Sequence, residues 1–377
     1  MMARYILAKG GPGIPARLPV NVSGPSSVAR ASNYIQVGSY STNTVSSLNI
    51  NNGGRVEVLD GSPYGGADIG ISTLAGTAEV KVSGAASTLA AEQIRIGGSR
   101  TIAGYTSTGA PVADIDWDTL SVGQQVADEN GNLVYDRNGN PVLAVEHPLY
   151  GEVVPSTYLN GNSIYNKSTG TLIVENGAQV DTQTINVSVN NPNTPTYNNQ
   201  GAVLTVRNGG VVTGDVNVYE DGLLNGNGSI LGNVLVDGGT LASGNSPGTI
   251  TIGGDLELRS GQLEIEIGGT GVNEFDVVHV LGDVTAADGF DVKVKLLNNF
   301  IPQEGQSFEF LDIDGLANFD FSLLNLILDE NVQNGFNISF DNGALSLVST
   351  SAVPVPASIW LFGSGIIGLL RFKGRKN

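Results

Sequence analysis

Val203-Leu204-Thr205-Val206-Arg207-Asn208-Gly209-Gly210-Val211-Val212 sets alternating β-formers before an Asn-Gly-Gly turn and then resumes with two valines. Side chains of a strand point alternately to its two faces, so hydrophobicity of period two marks a strand with one face buried. Asn-Gly supplies the positive φ that a tight turn requires. The phrase recurs on both sides, in Leu48-Asn49-Ile50-Asn51-Asn52-Gly53-Gly54-Arg55-Val56, Thr171-Leu172-Ile173-Val174-Glu175-Asn176-Gly177-Ala178-Gln179-Val180, Val216-Asn217-Val218-Tyr219-Glu220-Asp221-Gly222 and Val234-Leu235-Val236-Asp237-Gly238. Two architectures accommodate it: antiparallel hairpins with Asn-Gly as the two-residue turn, or a parallel β-helix with Asn-Gly at a corner between faces of one coil. The turns at Asn176, Asn208, Asp221 and Asp237 are unevenly spaced. A solenoid tolerates this, because extra residues loop out without disturbing the stack. The expected fold is therefore all-β, a parallel β-helix over residues 30–270, with about 20–25 residues per coil, roughly ten coils and about 50 Å of rod.

One interruption is expected at residues 101–168, a β excursion on the side of the rod. Within it Asp128-Glu129-Asn130-Gly131-Asn132 and Asp136-Arg137-Asn138-Gly139-Asn140 flank Leu133-Val134-Tyr135. Asp128, Asn130 and Asn132, and again Asp136, Asn138 and Asn140, place oxygens two residues apart, as at the start of a calcium loop. The bidentate Glu expected at the twelfth position is Gly139 instead, so two type I′ turns are the favoured reading and calcium the weaker one. From Gly271 to Thr350 the texture changes: Phe275, Phe290, Phe300, Phe308, Phe310, Phe319, Phe321, Phe336 and Phe340 fall here, out of 11 phenylalanines in the chain. Residues 271–350 are read as a separate β-sheet cap closing the last coil.

Thr240-Leu241-Ala242-Ser243-Gly244-Asn245-Ser246-Pro247-Gly248-Thr249-Ile250-Thr251-Ile252 resembles a phrase of autotransporter passenger domains. Val82-Ser83-Gly84-Ala85-Ala86-Ser87-Thr88-Leu89 is similar to another of their repeats, with Leu89 in place of an aromatic residue. Those domains are right-handed parallel β-helices, so the resemblance implies that handedness here. It speaks for shape and not for activity, and the membrane barrel of that family has no counterpart in the sequence.

Composition agrees with strands and turns. The 377 residues include 52 glycines, roughly twice the usual share, and only 14% are charged, against about a quarter in ordinary domains. Water-facing helices need charge and are weakened by glycine. The net charge of −18 argues against nucleic acid and anionic lipid surfaces as partners of the body. With no cysteine, disulfides, thiolate metal sites and cysteine nucleophiles are excluded.

The C-terminal segment 351–377 has its own logic. Val353-Pro354-Val355-Pro356 leads into an uncharged stretch, 357–370, ended by Arg371, Lys373, Arg375 and Lys376. As a helix those 14 residues would span about 21 Å, with Trp360 and the basic cluster placed to meet the two membrane interfaces. Basic residues favour the cytoplasmic side, which puts the body outside the inner membrane. Ser364 and Gly368 add a small-xxx-small pair. Together, Val353, Pro354, Val355, Pro356, Trp360, Gly363, Gly365 and the basic end resemble the PEP-CTERM sorting signal, with Val355 standing where the name-giving Glu would be. The resemblance implies recognition by an exosortase-type membrane protease, transient anchoring in the inner membrane, and association with exopolysaccharide and biofilm in Gram-negative bacteria. Residues 1–29 are expected to be disordered or truncated. They lack an apolar signal-peptide core, their best run being Tyr5 to Ala8, so the true start is expected upstream.

The function expected is that of a non-enzymatic, exported structural or adhesive surface protein, with cell-surface glycans or exopolysaccharide as partners and no required cofactor. The alternative is a polysaccharide hydrolase or lyase on the same scaffold. Glycoside cleavage needs paired carboxylates, and Asp114, Asp116 and Asp118 around Trp117, with Glu146 and His147, are the candidates. Acidic residues in an acidic loop are more commonly only solvated. No phosphate-binding loop occurs, and His147 and His279 lie too far apart for a zinc motif.

Overall fold

The computed structural model describes residues 6–7, 17–32, 34–38, 44–59, 68–71, 76–102, 104–107, 111–112, 120–128, 131–136, 139–146, 153–159, 164–188, 201–244, 247–330, 332 and 334–352. These are almost entirely strands and turns; the helical segments among them are Ser156–Leu159 and Phe321–Leu323.

Parallel pairing sorts the strands into three stacks, as in a β-helix-like solenoid. One coil runs through Gly76–Ser83, Thr88–Ala90 and Gln93–Ile96. The next runs through Gly170–Glu175, Gln179–Asp181 and Thr184–Val187, and each of its strands pairs in parallel with its equivalent in the coil before. Along the first face a single row of residues climbs through the molecule. Val20 pairs with Leu48, Leu48 with Val80, Val80 with Leu172, Leu172 with Leu204, Leu204 with Leu224, Leu224 with Leu241, Leu241 with Leu263, Leu263 with Val292 and Val292 with Leu326. From Leu48 to Val292 every member is buried, so the row is the spine of one continuous core. Its steps are less even than 20–25 residues: the coil from Leu224 to Leu241 is short and that from Val292 to Leu326 long.

The Asn-Gly dipeptides of the rod are corners. Asn208 and Gly209 have φ of 51° and 76°, and Gly210 N donates to Arg207 O at 2.9 Å, the geometry of a type I′ turn. In a hairpin this turn would reverse the chain beside itself. Here the strand before it pairs with the first face of neighbouring coils, and Val211–Val212 after it pairs with the second face. A Cβ on Gly210 would lie 2.3 Å from Val174 O, so the close approach of successive corners requires glycine there.

The stacking extends beyond both expected boundaries. Arg17–Ser23 pairs in parallel with Thr44–Asn51, so the first coil begins before residue 30. After residue 270, Val277–Val280, Asp291–Leu296 and Asn325–Leu328 continue the parallel stacks. The antiparallel closure is narrower than 271–350: it consists of Asn334–Asp341 and Ala344–Ala352, laid on Ser307–Ile313. The reason is in the phenylalanines. Phe308 meets Phe275, Phe300 and Phe336 edge to face, with centroids 5.7, 6.1 and 6.2 Å apart, and they join the core of the rod. The larger side chains fill wider terminal coils and do not form a second core.

The excursion leaves the rod through an antiparallel pair, Gly98–Ile102 with Ile164–Ser168. The coils on either side of it pair directly, so the stack passes it uninterrupted. The apolar stretch 357–370 lies outside the described residues, and among those described no helix is long and apolar enough to cross a membrane.

Candidate interaction surface

The excursion has a core of its own, Val112, Val126, Val134 and Val142, with Leu120 packed against it. Three of these valines close a ring of backbone hydrogen bonds: Val126 N donates to Val142 O, Val142 N to Val134 O and Val134 N to Val126 O, each at 2.9 Å. Around the ring sit three small hairpins, paired at Tyr105 with Pro111, Ala127 with Leu133 and Tyr135 with Pro141. The sequence carries the matching repeat, Tyr105-Thr-Ser-Thr-Gly-Ala-Pro-Val112 against Tyr135-Asp-Arg-Asn-Gly-Asn-Pro-Val142, with Ala127 to Val134 as a third copy. Reading only Asp and Asn as the signal picks out two copies and misses the first.

The two acidic turns are built for themselves. Asn132 N and Nδ2 donate to Asp128 Oδ1 and Oδ2 at 2.8 and 2.9 Å, and Asn140 repeats this with Asp136 at 2.8 and 3.0 Å. Gly131 N closes on Asp128 O, and Gly139 N on Asp136 O, with glycine φ of 80° and 81°. The glycine is thus the closing residue of a longer loop, which corrects the expected two-residue type I′ turn: with Asn four positions after Asp there is room for an Asx bond that a two-residue turn lacks. Both oxygens of each carboxylate already accept from an Asn, which makes either turn a poor start for a calcium loop. Asn130 and Asn138 lie outside the described residues, as do Asp114, Asp116, Trp117, Asp118 and His147. Glu146 ends the strand Ala144–Glu146 and is exposed. Of the proposed acids the described residues thus include Glu146 alone. The residues of the sorting segment, Val353 to Lys376, also lie outside the described set.

On the rod, ionisable groups are spent on neighbouring coils. Glu175 is 5% exposed and lies between Lys81 Nζ, 2.7 Å from Oε1, and Arg207, whose NH2 is 2.7 Å from Oε2. Burial opposes its ionisation, but the hydrogen bonds and charges of Lys81 and Arg207 outweigh that and hold the carboxyl below its usual range. A ladder runs up one corner: Asp215 Oδ1 accepts Asn233 N, Asn233 Oδ1 accepts Asp255 N, Asp255 Oδ1 accepts Asp283 N and Asp283 Oδ1 accepts Leu316 N, all at 2.8 Å. Its sequence signal is a repeated Gly-Asp/Asn-Val/Leu at 214–216, 232–234, 254–256 and 282–284. Asp276, 1% exposed, accepts Gly248 N and Glu266 N, both at 2.9 Å, and so ties down the corner that contains Pro247-Gly248. Burial pushes its carboxyl up to about 7, against the pull of those two backbone donors, with Glu266 and Glu264 adding to the rise.

His279 Nε2 sits 3.6 Å from Asp312 Oδ2 and 3.5 Å from Asp314 Oδ2. Among the described residues, no group of three or more His, Cys, Asp or Glu is placed to hold a metal ion. Compared with known proteins, the chain matches no protein-family model and no curated protein.

Proposed function

We propose that this chain is an exported structural or adhesive protein of the cell surface or extracellular matrix, a right-handed parallel β-helix that works through its side faces. Export would be completed by an exosortase-type membrane protease acting on the Val353–Asn377 segment, after transient anchoring in the inner membrane by residues 357–370. The observation that carries the reading is the use of charge along the rod. Glu175, Asp276 and the Asp215–Asp283 ladder each hold one coil to another, so these acids serve cohesion of a stack rather than chemistry on a substrate. Handedness follows from the strong preference of parallel crossover connections for the right-handed form, and from the passenger-like phrase at 240–252.

The test is the C-terminus of the mature protein. Expressed in a Gram-negative host that carries an exosortase-type enzyme, the wild-type chain should yield a mass lacking the apolar stretch and basic end. A chain with Pro354 and Pro356 both replaced by Ala should keep them. Recovery of the wild type with Arg371 to Asn377 still attached would overturn the sorting mechanism.

A further inference from the structure

The excursion presents an outer face that the rod does not use. Strand alternation sends Val126, Val134 and Val142 inward, each fully buried, and sends Gln125, Leu133, Tyr135 and Leu143 to the other side. Leu133 and Leu143 are 44% and 38% exposed, and they flank the segment 125–127 through the bridges Gln125 to Leu143 and Ala127 to Leu133. Tyr105 and Tyr135 stand directly opposite one another, each backbone N–H donating to the other's carbonyl at 2.8 Å, and both side chains are half-buried. Two tyrosines and two leucines thus share one side of a module only a few strands wide. An apolar face of this kind, rimmed by polar turns, marks a contact surface.

Two further observations choose the partner. Gln125 Nε2 is buried without a hydrogen-bond partner among the described residues, a costly state that a ligand oxygen would relieve. The amide loses no bond by turning outward. Between residues 104 and 159 the sequence sets Asp114, Asp116, Asp118, Asp128, Glu129, Asp136, Glu146 and Glu152 against the single basic residue Arg137. In a chain of net charge −18, that repels an anionic ligand and equally a second copy of the same face.

We propose that the outer face around Tyr105, Tyr135 and Gln125 binds a neutral polysaccharide chain. The tyrosine rings meet the C–H faces of successive sugar rings, Leu133 and Leu143 extend the apolar strip, and the Gln125 amide donates to a sugar hydroxyl. Tyrosine suits this role because it couples an apolar body to a polar tip. The site deepens the matrix reading and rests on it only for the class of partner.

Affinity electrophoresis of the full chain through gels containing hydroxyethyl cellulose, galactomannan or alginate tests it. The wild type should be retarded by at least one of the two neutral polymers and not by alginate. The double variant Tyr105→Ala/Tyr135→Ala should lose about tenfold in apparent affinity, and Gln125→Ala a smaller part. Tyr219→Ala, on the rod, should match the wild type. Circular dichroism of the double variant must match the wild type for its loss to count, and Tyr105→Phe/Tyr135→Phe, which keeps the rings, should retain most of the affinity if it does not. Equal retardation of wild type and both double variants would overturn the module as the site while leaving the matrix reading intact. No retardation of the wild type by either neutral polymer would overturn the proposal, whereas the matrix reading stands or falls separately on the C-terminal mass. Sedimentation showing a wild-type dimer that the double variant lacks would also overturn it, in favour of a contact between copies.

Discussion

At the residue scale, two buried carboxylates are held in opposite ways. Glu175 keeps its charge because Lys81 and Arg207 reach it from the coils on either side. Breaking a fully buried pair by removing one partner costs about 3–5 kcal/mol. Lys81 and Arg207 remain about a third exposed, so Glu175→Gln is expected to cost nearer about 2 kcal/mol in chemical denaturation at neutral pH. Its folded pKa lies below its unfolded value, so this contribution is present above the ordinary Glu range and is lost as pH falls through the depressed value. Asp276 has the opposite sign. Its folded pKa of about 7 exceeds the unfolded value of 3.8, so its stabilisation is complete below pH about 4 and lost as pH rises to about 7. Asp276→Asn should remove this slope. Between pH 4 and 8 the wild type should lose up to the order of 4 kcal/mol relative to the variant, and urea titrations in parallel buffers check it. A wild type that gains on the variant over that range would contradict the assignment. Neither residue stands out in the sequence: Glu175 reads as one more polar position in an alternating strand, and Asp276 as one of many acids. Their roles come from pairing between residues as distant in sequence as Lys81 and Glu175, or across adjacent coils, which a local pattern does not carry.

At the element scale, the Asn-Gly corners were legible because their chemistry is local. Two consecutive positive φ angles demand Asn and Gly wherever the corner is placed. Whether the turn reverses the chain or only bends it depends on where the flanking strands pair, and the dipeptide is silent on that. The corner ladder was readable in the repeated Gly-Asp/Asn-Val/Leu, but its meaning depends on each Asx side chain reaching the next coil. Asp255→Ala, which orphans Asp283 N, is expected to cost about 1 kcal/mol in thermal or urea unfolding. The excursion should behave as a separate unit, since its valine core does not merge with that of the rod. Val134→Asp places a charge in the hydrogen-bonded ring and should unfold that module alone. Hydrogen exchange is then expected to speed up at Val126 and Val142 while Leu172 and Leu204 stay protected. Loss of protection at both sets would mean that module and rod are one cooperative unit.

For the whole molecule, the all-β character and the parallel stack could be read from alternation and uneven turn spacing. The ends of the stack could not. In the sequence the phenylalanines read as a separate cap because size of side chain and number of cores look alike in one dimension, whereas Phe308 and Phe310 belong to the same core as Val22. The tail-to-matrix account ties this rod to the last segment of the chain, and one comparison tests it most directly. The full chain, placed behind a functional signal peptide, is expressed in two otherwise identical Gram-negative strains, one with an exosortase-type enzyme and one without, and the membrane and extracellular-matrix fractions are probed for the rod. The account predicts the rod in the matrix fraction, lacking the apolar stretch, when the enzyme is present, and in the membrane fraction with the stretch attached when it is absent. The same distribution in both strains would contradict it.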